Sequence, residues 1–152
     1  MATFSVDNTA RTPFGKNAFL RSTQDIKTDS YTVAADSFPA NVTVDGVAKK
    51  VLQPGTVMAM ITSGADSGKI GVYDENTSVG ITDGRQTAAN IVGIAETFVP
   101  WMLEERDVDI AVVYEAAVVA AWCLGHDDGV QETMTAPTQA DVTAQVPTIL
   151  FK

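Results

Sequence analysis

The sequence predicts a mainly β protein: a small β-barrel or sandwich-like fold with a short helix near the C-terminus and an extended N-terminal arm. The chain has 152 residues, of which 45% are hydrophobic, and this is enough to build one core. Short apolar runs recur between Gly, Pro and Asp turn signals, a pattern typical of a barrel or sandwich. The segment 1–29 is polar instead and shows no helical or strand period.

The polar segment 1–29 is predicted to be the arm, and residues 30–152 the β-rich body. A solvated tail is the ordinary interpretation of such a segment. The alternative is an arm that becomes ordered on a partner, which isolated apolar side chains in a polar segment favour. The residues predicted to make that contact are Phe4, Val6, Phe14, Phe19 and Leu20.

The body opens with strand patterns separated by tight turns. Residues 31–34 alternate between larger apolar and smaller side chains. The dipeptide Asp45-Gly46 lies between two apolar runs and predicts a hairpin, because a tight hairpin turn needs positive φ. A Pro-Gly pair at 54–55 marks the next turn, before a strand over 56–62.

Further strands follow at similar spacing. Residues 63–68 form a predicted loop, 69–73 the returning strand, 74–87 a long polar loop, and 91–95 another short strand. Two apolar runs, 108–114 and 116–122, predict a strand pair that turns near Glu115.

The last part of the body is predicted to contain a helix and a strand. Residues 125–135 are polar and acidic and predict a loop. Residues 137–144 predict one or two helical turns that end before Pro147, since proline does not continue a helix. Residues 149–151 predict a terminal strand.

The charge of the chain is unevenly distributed. The net charge is −9; residues 1–50 carry six Lys/Arg and five Asp/Glu, whereas residues 51–152 carry four and fourteen. Without a basic patch, nucleic acid and anionic membranes are excluded as expected partners. The start of the chain has no signal-peptide pattern, so the protein is expected to be made in the cytoplasm.

Several short motifs resemble functional sites without matching them. Residues 64–70 lack the first glycine of a phosphate-binding loop and the Ser or Thr after Lys69, so a hairpin loop is expected. Residues 74–76 resemble the start of a calcium loop but lack its later glycine and glutamate. Asp127 and Asp128, with Asp66 or Glu132, would be able to hold a cation, although a solvated acidic loop is the simpler expectation.

No catalytic set is recognised, and the protein is predicted not to be an enzyme and to need no cofactor or metal. One cysteine and one histidine exclude an internal disulfide and any Cys₄, Cys₂His₂ or His₃ metal site within one chain. Cys123 ends an apolar run and is expected in the core, whereas His126 lies among polar residues and is expected to be exposed. The acids at 104–107 are expected to be solvated charges on a turn.

The two tryptophans have different expected roles. Trp122 continues an apolar run and is predicted to lie in the core. Trp101 follows a proline and precedes Met102; a core position is the ordinary expectation for it. The alternative is that Trp101 and Met102 anchor an interface, because Trp and Met are enriched where proteins meet.

The order of these signals over residues 50–152 resembles one protein family. A Leu-x-Pro-Gly-Thr-Val-Met entry at 52–58 is followed by a hairpin, by Asp-Gly-Arg-Gln-Thr-Ala at 83–88, and by Ile-Val-Gly-Ile at 91–94. Apolar runs, a short helix and Ile-Leu-Phe-Lys at 149–152 close the series. This order is similar to that of the head decoration (cement) proteins of tailed bacteriophages. Residues 1–49 are longer than the usual leader of that family and include the hairpin at Asp45-Gly46.

The resemblance implies a structural virion protein. Members form homotrimers on the outer capsid surface at three-fold positions and cement major capsid protein subunits against internal DNA pressure. The implied arm adds strand to the capsid protein, a mode in which main-chain hydrogen bonds supply affinity, and three arms per trimer would multiply it. The alternative expectation is a β-sandwich binding module, such as a virion surface domain that binds carbohydrate or host.

Overall fold

The computed structural model describes residues 19–22, 24–75 and 80–152. Within these ranges the chain is mainly β, with one short α-helix near the C-terminus, as the sequence predicts. In chain order, the strands and the helix are β1 (Lys27–Val33), β2 (Val42–Val44), β3 (Val47–Lys49), β4 (Val57–Met60), β5 (Ile70–Val72), β6 (Ile91–Ala95), β7 (Val108–Val118), β8 (Leu124–Asp127), β9 (Val130–Thr133), α1 (Ala136–Gln145) and β10 (Ile149–Phe151).

Six strands form the main sheet, in the order β1-β5-β4-β6-β7-β10. The strand β1 also pairs antiparallel with β7, from Lys27 opposite Glu115 to Val33 opposite Val108. The pairings that run from β1 through β5, β4 and β6 to β7 therefore return to β1. The strand β10 pairs parallel with the last residues of β7, from Ile149 opposite Ala116.

Apolar side chains cover this sheet on both faces, because alternate residues of a strand point to opposite sides. In β4, Val57 and Ala59 belong to one core cluster, whereas Met58 belongs to the other. The first cluster also receives Val142 from α1. The second receives Phe38, from the segment between β1 and β2.

Two hairpins, β2–β3 and β8–β9, are small sheets of their own. The sequence predicts the first, and it is confirmed: Asp45 and Gly46 both have positive φ, 51° and 77°. The second occupies the region predicted to be an acidic loop. It turns at Asp128-Gly129, again with positive φ at both residues. The same Asp-Gly signal was therefore present in the sequence at the missed hairpin.

The predicted turn near Glu115 is wrong, because β7 continues through this residue as one strand of 11 residues. The carboxylate of Glu115 accepts a 2.8 Å bond from the Lys27 ammonium on the paired strand. A charged residue can lie within a continuous strand when an oppositely charged residue on the paired strand binds it. A 3₁₀ turn over Ala120–Trp122 follows instead.

The predicted helix is confirmed and is one residue longer at each end. The Thr135 hydroxyl caps its N-terminus by accepting a 3.3 Å bond from the Thr138 N–H, and Pro137 occupies the first turn, where its missing N–H costs nothing. The helix ends at Gln145, before Pro147. No helix in the described part of the chain is long and apolar enough to cross a membrane.

Candidate interaction surface

Three of the predicted arm residues lie outside the described part of the chain, and two lie within it. Phe4, Val6 and Phe14 lie outside the described residues. Phe19 lies in the first core cluster with no exposed surface, and Leu20 is half-buried beside it. This corrects the expectation for Phe19, because a ring packed in the core has no surface to offer a partner.

Main-chain bonds hold this segment to the body. The Val119 N–H donates to the Phe19 carbonyl at 2.8 Å, and the Arg21 N–H donates to the Ala117 carbonyl at 2.9 Å. Leu20 forms an antiparallel bridge with Val118. The chain thus joins the body at Phe19. The predicted boundary between residues 29 and 30 falls inside β1, which begins at Lys27.

Trp101 is the predicted site residue with the most accessible surface among those described. Its side chain is 63% exposed, which argues against the ordinary expectation of a core position. It precedes a 3₁₀ turn over Met102–Glu104, in which Met102 packs against the second core cluster and Leu103 is fully buried. The buried neighbours hold the backbone in place while the indole lies outside.

Ion pairs and hydrogen bonds hold the acidic side chains that follow Trp101 in sequence. The carboxylate of Glu104 accepts a 2.5 Å bond from the backbone N–H of Lys50. The Asp107 carboxylate accepts a 2.6 Å bond from the Lys69 ammonium, which also pairs with Asp66 at 2.7 Å. The bonds from Lys69 and from the Ala35 N–H lower the pKa of Asp107. Glu104 and Asp107 are both exposed, as expected of solvated charges on a turn, and each also has a hydrogen-bond partner.

Trp122 is not in the core. Its side chain is 40% exposed, because the chain leaves the strand direction after Val118 and forms the 3₁₀ turn. The expectation of a core position for Trp122 is therefore wrong. Its backbone N–H donates to the Val119 carbonyl at 3.0 Å.

His126 is buried, with 1% of its surface exposed, so the expectation that it is exposed is wrong. Both ring nitrogens lack a hydrogen-bond partner among the described residues. The ring of Phe38 meets the imidazole edge-on, with centroids 6.5 Å apart. Burial lowers the pKa of His126 to about 4; the carboxylate of Asp74 opposes this shift and the guanidinium of Arg85 adds to it.

Cys123 lies in the core, as predicted, with no exposed surface. Its thiol donates to the Val119 carbonyl at 3.5 Å, and burial raises its pKa to about 12. A thiol with so high a pKa is protonated at neutral pH and is a poor nucleophile.

Three carboxylates come together at the β8–β9 hairpin. One oxygen each of Glu75, Asp127 and Glu132 lies within 4.8 Å of the others, so Asp127 meets Glu132 rather than Asp66. Burial, followed by repulsion from Asp127 and Glu75, raises the pKa of Glu132. Glu75 also accepts bonds from the hydroxyls of Thr135 and Thr138, at 2.7 and 2.5 Å. This cluster resembles many acidic surfaces that hold no ion and does not by itself identify a metal site.

The loop that resembles a phosphate-binding loop is a hairpin connection, as expected. The Gly68 N–H donates to the Ile61 carbonyl at 2.9 Å, and the Ile61 N–H donates to the Lys69 carbonyl at 2.9 Å. The Lys69 ammonium is held by Asp66 and Asp107. A strand, β5, follows the loop in place of the helix N-terminus that binds phosphate in such motifs.

The motif Asp83-Gly84-Arg85-Gln86, within the resemblance, has a structural role that the sequence did not reveal. The side chain of Arg85 donates to Asp83 at 2.9 Å and also to the carbonyl of Ser37. Asn90 donates to the Gly84 carbonyl at 2.8 Å. These bonds tie the loop before β6 to the segment after β1, which are far apart in sequence.

Comparison with family models, curated proteins and solved structures gave no match to this chain.

Proposed function

We propose that the chain is a structural virion protein, a decoration protein that trimerises on the outer surface of a phage capsid at three-fold positions. In this role it cements neighbouring major capsid protein subunits against internal DNA pressure. The observation that carries the proposal is the order of motifs over residues 50–152, given above. Supporting it, the same residues form most of the main sheet, with apolar clusters on both of its faces and the Asp83-Gly84 loop bonded to the segment after β1.

Three properties of the described residues suit this function. The closed circuit of strand pairings is what a small barrel would have. Fourteen acidic residues against four basic ones in residues 51–152 suit a protein that lies outside a shell and does not touch the packaged DNA. The exposed indole of Trp101 on an ordered turn suits an anchor in a protein interface.

The rival function, a carbohydrate-binding module, has weaker support. Such a site usually offers several exposed aromatic rings along one groove. Tyr73 is buried, and Tyr31 and Tyr114 pack against the core clusters. Among the described residues this leaves Trp101 and Trp122 as the large exposed aromatic side chains.

Binding to expanded capsids that lack their decoration protein tests the proposal. The purified protein should sediment with such capsids at saturating stoichiometry, and cryo-electron microscopy should show density at the three-fold positions. Failure to bind the capsids of the phage that encodes it would overturn the function.

A deletion separates the role of the arm from that of the body. Residues 2–18 should be removed, because Phe19 belongs to the core and a longer deletion would damage folding. The truncated protein should stay folded and lose most of its capsid affinity. If it binds as tightly as the full chain, the arm does not bind the capsid.

The substitution Trp101→Ala tests the exposed indole in the same assay, with Trp122→Ala as the matched control.

A further inference from the structure

We propose that Asp45-Gly46, at the tip of the β2–β3 hairpin, is a modification site at which isoaspartate forms spontaneously. The chain contains three Asp-Gly pairs, at 45–46, 83–84 and 128–129, and each of them lies in a described turn or bend. The surroundings of the three pairs differ, and the difference makes the first pair the reactive one. This inference is independent of the proposed function.

Isoaspartate formation needs only an aspartyl residue, the next peptide nitrogen and water. That nitrogen attacks the carbon of the protonated side-chain carboxyl group; a C–N bond forms, the C–OH bond breaks, and the hydroxyl leaves with the proton of the nitrogen as water. Water then cleaves the resulting succinimide ring at one of its two carbonyl carbons. Cleavage at the side-chain carbonyl restores aspartate, whereas cleavage at the main-chain carbonyl leaves the chain running through the side-chain carbon. Glycine favours ring closure because it has no Cβ to obstruct it.

Both reacting groups of the first pair are accessible. Asp45 and Gly46 are exposed, and a Cβ built on Gly46 would meet no atom within 4 Å. None of the hydrogen bonds or ion pairs between described residues uses the Asp45 carboxylate or the Gly46 N–H. Ring closure at this pair therefore breaks no interaction of either group with another described residue.

The hairpin that carries this pair is able to open without unfolding the body. Its two strands pair only with each other among the described residues, through three residue pairs, and residues 43–48 are all exposed. A two-stranded hairpin without a packed face is marginally stable in water. Local opening gives the Asp45 side chain the freedom to reach the next nitrogen.

The second pair is held on both sides of the reacting bond. The Asp83 carboxylate accepts bonds from the side chain and the backbone N–H of Arg85, at 2.9 and 3.2 Å. The Gly84 N–H donates to the Gln86 side chain at 2.9 Å, and Gly84 is buried. These bonds have to break before the nitrogen is able to attack, so the folded body protects this pair.

The third pair is protected by a buried carboxylate. Asp74, which is 1% exposed, accepts a 2.7 Å bond from the Gly129 N–H and a 3.0 Å bond from the Asp128 N–H. The nitrogen that would attack is thus engaged in a charge-assisted hydrogen bond, which is stronger than a neutral one. We expect this pair to react slowly while the β8–β9 hairpin is folded.

The test compares the three pairs within one protein. The purified chain is incubated at neutral pH and physiological temperature, once in buffer and once unfolded in guanidinium chloride, until the unfolded sample contains isoaspartate at all three pairs. Protein isoaspartyl methyltransferase labels the product, and peptide mapping by mass spectrometry with electron-transfer fragmentation locates it. Circular dichroism establishes that the sample in buffer stays folded. Asp45→Glu is the control variant, because its ring would be six-membered and closes far more slowly.

In the folded chain, isoaspartate should form at residue 45 at a rate within about tenfold of that in the unfolded chain, and at residues 83 and 128 at least about tenfold more slowly than in the unfolded chain. Asp45→Glu should remove most of the label from the folded protein. Equal slowing at all three pairs would overturn the inference, as would faster reaction at residue 83 or 128 than at residue 45 or undiminished label in Asp45→Glu. Capsid binding is measured separately, so these outcomes leave the proposed function to its own assay.

Discussion

Acidification should destabilise this protein through His126 at a pH where most carboxylates are still ionised. The imidazole is buried, without a hydrogen-bond partner among the described residues, and its pKa is about 4 in the folded chain. In the unfolded chain the pKa of a histidine is about 6.5. As the pH falls below that value, the histidine binds a proton in the unfolded state but stays neutral in the folded state. The free energy of unfolding therefore decreases.

The two pKa values give the magnitude. Linkage predicts a loss of about 2 kcal/mol between neutral pH and about pH 5, and about 3 kcal/mol by about pH 4. Below the folded pKa both states bind the proton, and the contribution of His126 stops changing. The stabilising effect of a neutral His126 is therefore fully present above about pH 6.5 and is lost as the pH falls towards 4.

The assay is urea denaturation of wild type and His126→Asn at a series of pH values. Asparagine removes the titration and keeps a polar side chain. The difference in free energy of unfolding between the two proteins should follow the histidine curve. Other groups, such as Asp107, whose pKa is lowered by Lys69, titrate in both proteins and cancel in the difference. Parallel loss of stability by wild type and variant between neutral pH and about pH 5 would refute the reasoning.

Three further substitutions test the packing, each by urea denaturation at neutral pH. Gly93→Ala should cost at least about 2 kcal/mol, since φ is +148° and a Cβ would lie 2.2 Å from the Val113 carbonyl oxygen; a neutral effect would contradict this close approach of β6 to β7. Tyr73→Phe should cost about 1–2 kcal/mol by removing the 2.7 Å bond that the buried phenol donates to Asp141; equal stability would show that this bond contributes nothing net. Leu103→Ala should cost about 2–5 kcal/mol, because the side chain is fully buried, and a loss below about 1 kcal/mol would indicate that the turn after Trp101 is not anchored as described.

Local signals in the sequence predicted those parts of the fold whose cause is local. The Asp45-Gly46 turn sets the geometry of its hairpin by itself, and the cap at Thr135 with Pro137 defines the start of α1. The strand break near Glu115 was wrong because its partner, Lys27, is 88 positions away in sequence. No local pattern shows that a charge in an apolar run has a partner across a ladder.

The candidate surface was predicted in part, and its errors have a common cause. For Trp101 the sequence leaves two positions open, the core or an interface, and its side chain is exposed. The sequence predicts an exposed His126 and a buried Trp122, whereas His126 is buried and Trp122 is partly exposed. Burial depends on which distant segment covers a residue, and no local pattern shows this. The segment containing Phe38 covers His126, and the turn after β7 carries Trp122 outward.

The ladder between β1 and β7 has a mechanical consequence. A pull on the chain ahead of Phe19 first loads the main-chain bond to Val119 and then β1, whose seven residues pair antiparallel along β7. Pulling along such a ladder stresses its bonds together rather than one after another, so rupture requires most of them to fail at once. Resistance of this kind is set by the rate of unfolding under load rather than by equilibrium stability. A tether attached at this end would transmit force straight into the most extensively paired strands of the body.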